Sequence, residues 1–137
     1  MTRRPDDGSI ALELVVLSPL VLLLLGLVYA YGQVAQLHGV MEAGTRDAAR
    51  AASQARSTLG AQEAAREAVL SSLGGPTSPC ARSLAVDVQA PFAAGTTVRV
   101  AARCTSTLAG LGLPGLPGDV TVESAFSSPV DPNRGAG

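Results

Sequence analysis

The sequence predicts an α+β protein: a single N-terminal transmembrane helix that continues into an extracytoplasmic helix, then a small antiparallel sheet of about three strands. Three observations carry this. An uncharged apolar run, Leu14 to Tyr31, stands near the N-terminus. An Ala-rich segment with helical spacing follows it, and three stretches alternating apolar and polar residues come after a Gly-Gly-Pro stop. At 137 residues the chain holds one span and one small outer domain.

Residues 1–8 read as a polar leader, where Pro5, Asp6, Asp7 and Gly8 disfavour helix. The transmembrane helix is read over 9–31. Its 18 uncharged residues rise about 27 Å as a helix, close to the hydrocarbon thickness of a bilayer. Pro19 removes one backbone donor inside the run, so a kink is expected. Arg3 and Arg4 favour a cytoplasmic N-terminus and place the C-terminal domain outside, although Arg46 and Arg50 on the far side weaken that bias.

Glu13 lies just inside the apolar run, five residues after Gly8. A charge at the centre of a membrane helix costs about 2.5–3.5 kcal/mol or more, and less near the interface. Two readings of Glu13 stand. In one it sits at headgroup depth, snorkelling or protonated. In the other, Gly8 and Ser9 flank a processing site: cleavage leaves Ser9 first and Glu13 fifth. The new α-amino group then pairs with a carboxylate on a neighbouring subunit.

Residues 32–73 read as an extracytoplasmic helical region. Val34, Leu37, Val40 or Met41, Gly44, Ala48, Ala51 or Ala52, Ala55 and Leu59 recur at three- and four-residue spacing, which extends the first helix from about Ile10 to about Ser57. Gly44, Ala48, Ala51, Ala52 and Ala55 form a helix-packing face of small residues, used either under the outer domain or between subunits. Gly60 interrupts the pattern, and Ala61 to Leu73 resumes it as a second helix ended by Gly74-Gly75-Pro76.

Residues 74–128 read as a small β domain. Leu84, Val86 and Val88 alternate with polar neighbours, as do Val98, Val100 and Ala102, and Val120, Val122 and Phe126 in a third strand, Asp119 to Phe126. If Cys80 faces Cys104 across an antiparallel pair, facing residue numbers sum to 184. Leu84 then faces Val100, Val86 faces Val98, and all the valines share the cysteine face. An oxidising compartment permits that disulfide, and the alternative is two unpaired buried thiols. Leu108 to Gly118 reads as a flexible apolar loop, and residues 129–137 as a disordered tail.

Gly8-Ser9-Ile10-Ala11-Leu12-Glu13, then Pro19 within the apolar run, then Gly44-Thr45-Arg46-Asp47-Ala48-Ala49-Arg50-Ala51-Ala52, resembles the TadE-like pilus-assembly proteins of tight-adherence (Tad/Flp) pili. The resemblance covers roughly Gly8 to Ser57. Leu14 follows Glu13 where the major Flp pilins usually carry Tyr, which favours a minor subunit over the shaft protein. The resemblance implies a pilin-like fold, a minor pilin or pseudopilin role, cleavage by a prepilin peptidase, and partnership with sibling minor pilins and the pilus assembly platform.

The remaining composition narrows the function classes. A formal net charge of −1 gives no footprint for nucleic acid. His38 stands without a nearby Cys or Asp, no phosphate loop or carboxylate pair at catalytic spacing occurs, and two distant cysteines are too few for zinc. Neither an enzyme nor a cofactor is expected. Two rivals remain. One is a membrane-anchored extracytoplasmic binding module with no pilus role, uncut at Gly8. The other is a secreted soluble protein cut after Ala30, at Val28-Tyr29-Ala30.

Overall fold

The structure, a computed structural model, describes residues 7–89, 91, 93, 95–115 and 117–132, and for residues 7–12 the backbone alone. Residues 1–6 of the expected leader over 1–8, parts of the 90–95 connection, and residues 133–137 of the expected tail over 129–137 lie outside the described residues. Two compact units are distinguished, residues 1–33 and 34–137.

In the first unit, helix α1 (Asp7–Gln54) already includes Asp7 and Gly8 in its backbone. From Leu14 to Tyr31 its large apolar side chains are all exposed, Leu23 at 70% and Tyr31 at 79%.

The second unit holds the rest of α1, helix α2 (Thr58–Ser72) and an antiparallel sheet in the order β1 (Ala85–Gln89), β2 (Thr97–Thr107), β3 (Asp119–Pro129). This α+β arrangement agrees with the expectation from sequence. Aromatic residues are scarce, so the core consists of small side chains: Met41, Ala48, Ala49 and Ala52 of α1, Ala61, Ala65 and Val69 of α2, and Val98, Val100 and Val122 of the sheet, all fully buried. Each buried valine contributes about 1.5–3 kcal/mol relative to exposure. Thr45, the buried hydroxyl on α1, is satisfied by donating to Met41 O at 2.7 Å.

The first helix ends at Gln54, three residues short of its expected limit, because Ser57 caps the next one. Ser57 Oγ accepts from Gly60 N–H at 3.1 Å, so Gly60 lies in the first turn of α2 rather than between helices. Leu59 consequently falls on that exposed turn, 77% accessible, and leaves the apolar stripe. At the other end, Gly74 and Gly75 adopt φ of 88° and 94°, and Gly75 N–H returns to Leu70 O at 2.8 Å. This is a left-handed C-terminal stop that only glycine makes without strain.

The β1–β2 register differs from the cysteine-derived one. Val86 faces Ala102 and Val88 faces Val100, a sum of 188 in place of 184. Between Cys80 and β1 the chain makes a 3₁₀ turn, Ala81–Ser83. A 3₁₀ turn advances only about 2.0 Å per residue against about 3.3 Å in a strand. Cys80 therefore falls level with Cys104, Cα–Cα 5.5 Å, where an extended chain would carry it further along β2. The displacement is even, so the valines keep the buried face.

The loop after β2 is more ordered than its composition suggests. It contains a 3₁₀ turn at Ala109–Leu111, buries Leu113, and closes through Leu108 N–H to Gly118 O at 3.0 Å. The third strand runs on to Pro129, and Val130 is buried with its N–H on Thr96 O at 2.8 Å. Pro129 thus belongs to β3, and Val130, just past the strand, joins the buried core; neither was expected there from sequence.

Candidate functional site

The candidate site is the N-terminal part of α1. Gly8 and Glu13 are both helical, about 7.5 Å apart along the axis and about 140° apart around it. Glu13 is exposed, and among the described residues no basic side chain pairs with it. Beyond it begins a helix long and apolar enough to cross a membrane: its most apolar 18-residue window has mean hydropathy 2.4, and none of that window is buried. By length and composition such a segment fits a single pass across a membrane.

The small-residue face lies in the second unit, and its members separate there. Ala48 and Ala52 are fully buried in the core. A Cβ on Gly44 would come within 2.9 Å of Ser72 Cβ and 3.4 Å of Val69 Cα, so α2 approaches α1 here closely enough to need glycine. Ala51 and Ala55 are half-buried. Within the described chain this face is occupied by the protein's own α2 and sheet. The adjacent flank of α1 is fixed electrostatically. Arg46 lies over the Phe126 ring at 5.2 Å and 3.6 Å from Glu42, and Ser128 Oγ meets Ser53 Oγ at 3.5 Å.

Cys80 and Cys104 are joined, which ties the entry to β1 to the middle of β2. On the solvent face of the sheet Arg103 Nε donates to Glu123 Oε1 at 2.6 Å, bordering a shallow depression floored by Ala85, Ala101 and Ala125. Among the described residues no group of His, Cys, Asp and Glu is placed to hold a metal ion. Sequence reasoning missed one arrangement. Gln62 and Arg66, one turn apart on α2, donate to the Val86 and Leu84 carbonyls at 2.5 and 3.2 Å. Their i,i+4 spacing was visible, but their target depends on how α2 meets β1.

In comparison with known families, the family model described as TadE-like protein aligns with residues 8–50. The matched stretch begins at Gly8, contains Glu13 and the whole apolar run, and ends at Arg50. No curated protein and no solved structure matches the chain.

Proposed function

We propose that this chain, TadE-like over residues 8–50, is a membrane-anchored minor pilin or pseudopilin that takes part in assembling a tight-adherence pilus. The observation that carries the reading is the coincidence of three features on one helix. The family match starts at Gly8, the match contains a fully exposed apolar segment of membrane-spanning length, and a carboxylate stands at that segment's mouth. The helix fits a single-pass membrane protein with a cytoplasmic N-terminus and the β domain outside, where an oxidising compartment maintains the Cys80–Cys104 bond.

In this reading a prepilin peptidase cuts between Gly8 and Ser9. The Ser9 amine and Glu13 of adjacent subunits then neutralise one another as the helices associate, which removes two charges from lipid together. Partners are sibling minor pilins and the inner assembly platform. Deleting the chain in its native cell should abolish surface pili seen by electron microscopy, and restoring it on a plasmid should return them. Unchanged piliation in the deletion strain refutes the assembly role and leaves the membrane-anchored binding module.

A further inference from the structure

We propose that the outer edge of β3 is a docking edge for an extended, amphipathic strand of another protein, basic on one side and apolar on the other. Val130 N–H donates to Thr96 O and Leu108 N–H to Gly118 O, and both pairs continue the β2–β3 register. Even-numbered residues of β3 therefore direct their backbone groups toward β2, and odd-numbered residues direct theirs outward. Following the same parity across β2, the outward groups on the other side of the sheet are those of Leu84, Val86 and Val88. There α2 covers the edge, with Gln62 and Arg66 occupying the Val86 and Leu84 carbonyls.

The two edges of one sheet are thus treated differently. No described element lies beside β3, whose 11 residues present outward N–H groups at Thr121, Glu123, Ala125 and Ser127. Long open edges are ordinarily blunted by basic residues, bulges or a covering element, and β3 has only Pro129 at its end. Its side chains say what fits. On the exposed face Glu123 is already paired with Arg103 of β2, while Asp119 has no cation beside it among the described residues; the inner face leaves Val120 half-buried near fully buried Val122. An added strand with Arg or Lys beside Asp119 and aliphatic residues beside Val120 satisfies both faces, main-chain bonds supplying affinity and side chains selectivity. A second copy of β3 lacks this complementarity, because it brings acid to acid.

The test uses the full chain in detergent micelles and the blocked peptide Thr-Val-Arg-Val-Thr-Val-Arg-Val-Thr as probe, with residue-resolved amide exchange as readout. The peptide should slow exchange at Thr121, Glu123, Ala125 and Ser127 and leave the already bonded even-numbered amides unchanged. Ala125→Pro removes one outward donor without touching the β2–β3 ladder and should weaken binding about tenfold or more. Asp119→Lys, on the exposed face, should weaken it severalfold, as should exchanging the peptide's Arg for Glu. Protection appearing on β1 or α1 instead, or the same outward protection arising from protein concentration without peptide, overturns the proposal. So does undiminished binding by Ala125→Pro. If Ala125→Pro loses the native thermal transition, Asp119→Lys decides, and wild-type binding by that variant overturns it.

Discussion

Gly44→Leu separates packing inside the domain from packing between subunits. The close approach of α2 fixes the magnitude: even a methyl at residue 44 meets Ser72 Cβ at 2.9 Å and the Val69 backbone at 3.4 Å. Side chains can yield a few tenths of an ångström, but the Val69 Cα moves only with α2 itself. Overpacking of a filled core costs typically about 1–3 kcal/mol, and Leu needs three more carbons of room than Ala. Replacing glycine within a helix returns about 0.8–1.0 kcal/mol. Because the Val69 backbone cannot yield, the cost falls in the upper part of that range, about 2–3 kcal/mol, and a net loss of about 1–2 kcal/mol is expected. For a domain of about a hundred residues that lowers the midpoint by roughly 5–15 °C. Thermal unfolding of the full chain in detergent, followed by near-ultraviolet circular dichroism at a protein concentration where it is monomeric, measures this. Ala43→Leu is the control, since Ala43 is exposed one position away and should shift the midpoint little. A Gly44→Leu protein as stable as wild type, but altered in self-association, would falsify the intramolecular account.

Two further outcomes follow from the same structure. Opening the Cys80–Cys104 loop, with a sequence separation of 24, restores chain entropy worth about 3.5 kcal/mol. Cys104→Ala should therefore melt roughly 15–25 °C lower, and free thiols on protein isolated from membranes would contradict the pairing. Glu13→Ala should insert in membranes as well as wild type, because it removes a carboxylate from an apolar helix. It should still be cut at Gly8 but recover at most about a tenth of the sibling minor pilins on co-purification, and equal recovery removes the docking role.

Much of this fold was legible in local pattern. The apolar run marked α1, alternation marked three strands, and Gly74-Gly75 marked the end of α2, because each depends on neighbours a few residues apart. The β1–β2 register was not legible. It depends on the Ala81–Ser83 turn, which three unremarkable residues make and which draws Cys80 back along the sheet. The even parity survived because burial of alternate residues tolerates no odd slip. Ser57 was misjudged for a related reason: a serine amid helix formers reads as one more helical position until its hydroxyl is seen on Gly60 N–H. At the N-terminal site, Gly8, Ser9 and Glu13 were legible as a spacing. The roles of Gln62 and Arg66 were not, since they follow from the placement of α2 against β1, a tertiary fact with no sequence period.

The central claim, that Gly8 and Glu13 open a processed, membrane-spanning pilin-like helix, is tested most directly by the mass of the mature N-terminus. The protein is purified from membranes of its native cell, beside a Gly8→Leu variant. The account predicts a wild-type chain beginning at Ser9 and a variant that keeps residues 1–8. A wild-type chain retaining those residues, one beginning at Tyr31, or equal processing of the Gly8→Leu variant would contradict it.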